Sequence, residues 1–248
     1  MRQCRILPAG HTSALKHACT YLGAQGLPLT YDPDTTVTHL LLPVPSFDAD
    51  GSIKGGGDLG SLLNKLPGSI TVIGGFLDHP LLEGYSKLDL LETESYIAKN
   101  AAITAHCAIK LALQHLPRTL ASCPVLVIGW GRIGKCLSRL LRTLGSDITV
   151  AARKETDRAM LEALGYKAIN ATQIHPEEYR VIFNTAPQLL LPDCPGTALK
   201  IDLASKPGIT GADVIWARGL PNRDAPESSG ALIAQEFISY YNSMEVAL

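Results

Sequence analysis

Val125-Leu126-Val127-Ile128-Gly129-Trp130-Gly131-Arg132-Ile133-Gly134 is the stretch that decides how this chain is read. Its apolar start has the composition of a buried strand, and Ile133, Leu137, Leu140, Leu141 and Leu144 then recur at helical spacing. A strand, a GxGxxG turn and a helix in that order make the first half of a dinucleotide-binding unit. Gly129 permits the tight turn, Gly131 removes a side chain that would block a pyrophosphate, and Gly134 allows close helix packing. The helix start offers backbone N–H groups and a favourable dipole to phosphate, so Trp130, Arg132 and Ile133 are assigned to the cofactor with the three glycines. The competing reading is a degenerate unit whose glycines serve packing alone.

The next strand ends Val150-Ala151-Ala152-Arg153-Lys154. An NAD site usually carries an acid there to bond the ribose 2′-hydroxyl. Here Ala152 leaves space, and Arg153 and Lys154 suit a 2′-phosphate, so NADP is expected over NAD. The alternative is a solvated basic pair. Loops after later strands carry Asn184-Thr185-Ala186-Pro187, Asp202-Leu203-Ala204 and Gly219-Leu220-Pro221. Loops at strand C-termini line the ligand crevice in such sheets, which assigns Asn184, Thr185, Ala186, Pro187, Asp202 and Ala204 to the cofactor. Each loop also reads as a bare turn.

Outward from this core, short apolar runs alternate with helix-period runs, which predicts an α/β fold of two Rossmann-like domains with parallel sheets. Expected strands are Arg5–Leu7, Thr38–Leu42, Ile70–Ile73, Val125–Ile128, Ile148–Val150, Val181–Phe183, Leu199–Ile201 and Val214–Trp216. Expected helices include Ser13–Leu22, Asp58–Leu66, Ile103–Leu116 and Ser228–Tyr241. Residues 48–57, with Gly51 and Gly55-Gly56-Gly57, lack periodicity and read as a mobile loop; no Lys-Ser/Thr pair follows to make a phosphate loop. Arg5–Gly23 faintly repeats the strand–turn–helix pattern of Val125–Gly145, but its turn lacks the glycines a dinucleotide needs. The expected division is a first domain over 1–98, a dinucleotide-binding domain over 99–226, and a C-terminal helix over 227–248 that packs back on the first domain.

Composition narrows the function. The 248 residues are 46% hydrophobic and 18% charged, enough for a large core. A net charge of -1 gives no basic excess for nucleic acid or an anionic membrane. No apolar run reaches the roughly 20 residues of a spanning helix, and Met1-Arg2-Gln3-Cys4 leads into no signal-peptide core, so a cytoplasmic location is expected. The 6 cysteines and 7 histidines are scattered without metal-ligand spacing, so reduced thiols and no metal are expected.

Asn100-Ala101-Ala102-Ile103-Thr104-Ala105-His106, the glycine turn, Val150–Arg153, Asp202-Leu203-Ala204-Ser205-Lys206-Pro207-Gly208 and Gly219-Leu220-Pro221 together resemble the dipicolinate synthase family, in its A-type subunit. The resemblance covers residues 100–240 and touches the first half loosely. More distantly the chain is similar to D-2-hydroxyacid dehydrogenases. The family implies NADP-dependent oxidation of a dihydrodipicolinate-type ring to dipicolinate in sporulating bacteria. It also implies a small dicarboxylate substrate and a flavoprotein-like partner subunit; a homo-oligomer is expected as well. The chain departs from the family pattern in its first half, at His106-Cys107 and after Pro221. Thr104 and His106, placed near the start of a linker helix, are assigned to the substrate as hydroxyl donor and as base or carboxylate partner. Lys206, which matches the motif, is the expected cation. The alternatives are a same-fold dehydrogenase for another cyclic or 2-oxo acid, and a catalytically silent dinucleotide-binding subunit. His106 also reads as an ordinary half-buried helix histidine.

Overall fold

A computed structural model of the chain describes residues 4–246. Met1 to Gln3, read above as leading into no signal peptide, lie outside the described residues. The fold is α/β with two parallel sheets, and the chain divides into two compact units. One holds the residues up to Asn100 together with those from Pro221 onward; the other is Ala101–Leu220.

The first unit runs β1 (Ile6–Pro8), α1 (Ser13–Ala24), β2 (His39–Leu41), α2 (Leu59–Leu63), β3 (Thr71–Gly74) and β4 (Ser86–Asp89). These strands pair in parallel in chain order, and a short segment at Leu29 bridges the free side of β1. Leu7, Leu40 and Val72 join one core with Leu42, Ile53 and Leu59. Their alternates Ile6, Leu41 and Ile73 are equally buried, so both faces of the sheet are covered, as a parallel sheet requires. Residues 48–57 are not a free loop: Ile53 is buried, and Lys54 N–H donates to Ser46 O at 2.8 Å.

The second unit contains β5 (Pro124–Ile128), α4 (Arg132–Thr143), β6 (Asp147–Ala152), α5 (Glu155–Ala163), β7 (Lys167–Asn170), β8 (Val181–Asn184), β9 (Leu199–Asp202) and β10 (Val214–Trp216) in the spatial order β10-β9-β8-β5-β6-β7. The chain leaves β5 in one direction through β6 and returns on the other side through β8, which opens a crevice above the C-terminal end of β5.

The linker helix α3 (Glu94–His115) starts nine residues before its expected first residue, Ile103. Its early turns are too polar to show an apolar stripe. After Leu220 come the short α6 (Leu220–Asp224) and α7 (Pro226–Val246), with Pro226 at the position where a missing N–H costs nothing. α7 lies along α1. A Cβ on Gly230 would stand 2.5 Å from Ala14 O, so glycine sets how closely these helices approach. Asn222 Oδ1 accepts from Ala14 N at 3.2 Å, which ties the segment after Leu220 to the first unit. Glu236 of α7 accepts from Ser95 Oγ at 2.8 Å and Lys99 Nζ at 2.7 Å. Burial, with the Glu236 charge beside it, holds the Tyr96 phenol above the ordinary range.

His39 makes edge contacts with the rings of Phe237 and Tyr241, and burial depresses its pKa below 6.5. The unfolded chain protonates this imidazole near 6.5, whereas the folded chain resists. The stability contributed by neutral His39 is therefore present above that value and lost as pH falls below it. Urea midpoints are expected to drop as the pH is lowered through this range, and the drop should shrink in His39→Leu; parallel pH profiles would contradict the assignment.

Candidate functional site

The crevice at the end of β5 is a cavity of about 550 Å³. It gathers Gly129, Trp130, Gly131, Ala152, Arg153, Lys154, Thr185, Ala186 and Pro187, each expected at the cofactor from the sequence. Asp157, Thr172, Gln188 and Leu190 join them.

The three glycines do different work. Gly129 has φ 101°, a left-handed conformation, and its Cβ would stand 2.5 Å from Thr185 Oγ1. A Cβ on Gly134 would overlap Gly129 O, so this glycine seats the first turn of α4 on the glycine turn itself. Gly131 has nothing within 4 Å of its Cβ position. That open space lies directly at the N-cap of α4, where no side chain caps the helix. Open space, a helix start and a cavity of this size fit a pyrophosphate.

Trp130 forms the crevice rim. Its indole meets Tyr166 edge-on at 5.7 Å between centroids, and the Arg142 guanidinium stacks on Tyr166, 3.4 Å from the ring centroid. Arg142 also donates to Leu164 O at 3.0 Å, which fixes the stack.

The basic pair at the end of β6 is exposed. Arg153 Nη1 lies 3.5 Å from Gln188 Oε1, and no hydrogen bond or ion pair holds the Lys154 ammonium among the described residues. Arg158 was not visible from the sequence. Its Nη1 donates to the carbonyls of Ala152 at 2.9 Å and Arg153 at 2.7 Å, which adds a third positive charge and fixes the bend carrying the pair. The signal was its place one turn into α5. Asp157, also in that turn, puts one carboxylate on the same crevice.

Arg132, Ile133, Gly134, Asn184, Asp202 and Ala204 do not line this cavity. Gly134 and Ala204 are buried, and Arg132 and Ile133 belong to the first turn of α4. Asn184 and Asp202, expected at the cofactor, instead turn both side chains inward. Asn184 Nδ2 donates to Asp202 Oδ1 at 2.8 Å and to Ala186 O at 3.0 Å. Asp202 also accepts from the N–H groups of Ala204 at 3.0 Å, Gly208 at 2.6 Å and Ile209 at 3.0 Å. A buried carboxylate with this many donors is a scaffold for the loops above it. Trp216 Nε1 donates to Ala204 O at 3.1 Å, and Arg218 to Ser205 O, holding the same loop from outside.

Thr104 and His106 stand in the middle of α3, not at a helix start, so the backbone N–H groups there serve the helix ladder. Thr104 is buried and His106 exposed. Residues two apart on a helix face different ways, so the two side chains are not on one face. Lys206 is exposed in the bend after β9. Among the described residues no His/Cys/Asp/Glu cluster could hold a metal, and no helix is long and apolar enough to cross a membrane.

No family model matches the sequence. Over 192 residues the chain is 28% identical to the A-type subunit of dipicolinate synthase from Bacillus subtilis (strain 168), a match spanning 69% of this chain and 65% of that protein's length. The chain resembles this dipicolinate synthase subunit. The crystal structure of its counterpart from Bacillus halodurans superposes with a TM-score of 0.83 at 22% identity, covering 97% of this chain and 98% of the other. D-lactate dehydrogenase from Escherichia coli shares the fold more distantly, with a TM-score of 0.62 at 13% identity over 97% and 96% of the two chains.

Proposed function

We propose that the protein is an NADP-dependent oxidoreductase that oxidises a dihydrodipicolinate-type ring to dipicolinate, working with a flavoprotein-like partner subunit. The observation that carries the cofactor reading is one cavity with open space at Gly131 and the exposed Arg153 and Lys154 on its wall. The likeness to dipicolinate synthase supports the substrate class.

Gly129 and Gly131 would cradle the pyrophosphate, Trp130 would wall it in, and Thr185, Ala186 and Pro187 would face the rest of the dinucleotide. Arg153 and Lys154 would meet the 2′-phosphate through charge-assisted bonds. When bound, oxidised NADP supplies a hydride acceptor. The chain must then bind two ring carboxylates and take one proton as the ring becomes aromatic. His106 is the exposed imidazole proposed to take that proton, Lys206 the cation proposed for a carboxylate, and Thr104 a supporting hydroxyl behind the helix face. His106→Ala should lower turnover of dihydrodipicolinate and leave NADPH binding unchanged; equal turnover would remove His106 from the mechanism.

The cofactor preference has its own test. NADPH should bind more tightly than NADH by about 1–3 kcal/mol, and Arg153→Ala should erase much of that gap. Equal affinities in the unmodified protein would overturn the 2′-phosphate assignment. A dinucleotide-binding protein without turnover of its own is the second reading, favoured by the placement of Thr104 and His106 on different faces of α3.

A further inference from the structure

The crevice at the end of β5 holds an acid beside its bases. Of the charged residues that line it, Arg153 and Lys154 are cations and Asp157 is an anion. Asp157 is half-buried, and its carboxylate makes no hydrogen bond or ion pair among the described residues. The neighbouring bases are turned elsewhere. Arg153 directs Nη1 to Gln188 Oε1 at 3.5 Å, and Arg158 donates from Nη1 to the carbonyls of Ala152 at 2.9 Å and Arg153 at 2.7 Å.

The start of α5 does not account for this acid. A helix N-terminus favours a negative charge, and Glu155 already supplies one in the same turn. Glu155 is exposed and does not line the cavity, whereas Asp157 does. Residues two apart on a helix point in different directions, so the turn sends one acid to solvent and the other to the crevice wall. Lys154 is the N-cap of α5 and Asp157 its third residue, which sets them roughly 5 Å apart along the helix axis.

A 2′-phosphate on this wall meets both signs. A phosphate monoester carries about 1.5 to 2 negative charges near neutral pH. At physiological salt, charges screen one another over roughly 8 Å, more than the separation of Lys154 and Asp157 along the helix. A phosphate seated on the bases therefore still feels the acid. NADH has a neutral hydroxyl in that place and is spared the repulsion.

On the reading of this crevice as an NADP site, we propose that Asp157 is a specificity-determining residue that works against the basic pair. Its charge repels the 2′-phosphate and holds the preference for NADPH over NADH below what Arg153 and Lys154 alone would set. Cofactor choice is then a balance of opposed charges on one wall.

Calorimetric titration of the full chain with NADPH and with NADH tests it, in the unmodified protein and in Asp157→Asn, Asp157→Glu and Asp157→Lys. At low salt Asp157→Asn should bind NADPH at least about threefold more tightly, and NADH no more tightly. Asp157→Lys should go further in the same direction. Asp157→Glu keeps the charge and should keep the affinity ratio of the unmodified protein. The gain in Asp157→Asn should shrink as salt is raised from about 0.05 M to about 0.5 M. A mere loosening of α5 would move both dinucleotides together and leave their ratio unchanged. Unchanged NADPH affinity in Asp157→Asn, an equal gain for NADH, a gain shared by Asp157→Glu, or a gain indifferent to salt would each overturn the proposal and leave the cofactor reading standing. Equal affinities for NADPH and NADH in the unmodified protein would count against the basic pair as a 2′-phosphate site; a gain for NADPH alone in Asp157→Asn would still uphold the role of Asp157. Binding of neither dinucleotide to any of the four proteins would overturn both.

Discussion

Gly131→Val is expected to weaken NADPH binding at least about 100-fold, close to 2.7 kcal/mol, while the melting temperature stays near that of the unmodified protein. The two halves of this result have separate causes. Gly131 has φ -81° and ψ -169°, extended backbone that valine adopts without strain, and its Cβ position has no neighbour within 4 Å. The folded protein without cofactor therefore has room for the new side chain. The pyrophosphate, which needs that same room, does not. Gly134→Val makes the contrast: its Cβ would overlap Gly129 O, so stability should fall along with binding. Binding curves and thermal melts of both variants separate a blocked cradle from a broken turn. A Gly131→Val protein that binds NADPH normally would place the dinucleotide elsewhere.

Asp202→Ala should destabilise the protein by about 3–5 kcal/mol, the magnitude of breaking a buried, charge-assisted network. Four donors converge on that carboxylate: Asn184 Nδ2 and the N–H groups of Ala204, Gly208 and Ile209. Removing it takes the acceptor away from all four. The loops after β8 and β9 share this anchor, so NADPH affinity should fall as well. Denaturant unfolding of Asp202→Ala gives the number, and a loss under about 1 kcal/mol would show that water or rearranged side chains replace the carboxylate.

Asp202 also shows where the sequence stops being informative. Its position after an apolar strand marks a loop at the crevice, and nothing local says whether its carboxylate faces a ligand or the protein. That depends on where Asn184, eighteen residues earlier, arrives. The glycine turn was legible because strand, turn and helix are contiguous and each glycine answers a local need. The edge strands β4 (Ser86-Lys87-Leu88-Asp89) and β7 (Lys167-Ala168-Ile169-Asn170) were not: both are polar and short, whereas the edge strand β10 is read from its apolar Val214-Ile215-Trp216. The start of α3 was missed for a related reason. Glu94, Ser95 and Lys99 are too polar to carry an apolar stripe, though Ser95 and Lys99 are answered by Glu236 far along the chain. The basic pair Arg153-Lys154 could be read directly, but Arg158, which fixes the bend beneath it, could not.

The most direct test of the account is a fluorescence titration of the full chain with NADPH and with NADH. Trp130 lines the crevice at the end of β5, and the other of the 2 tryptophans, Trp216, does not. The account predicts saturable quenching by NADPH at concentrations at least about tenfold lower than by NADH, near 1.4 kcal/mol. The quenching should largely vanish in Trp130→Phe, while calorimetry shows NADPH still bound. Saturable quenching by neither dinucleotide, with no heat of binding, would contradict the reading of this crevice as a nicotinamide dinucleotide site.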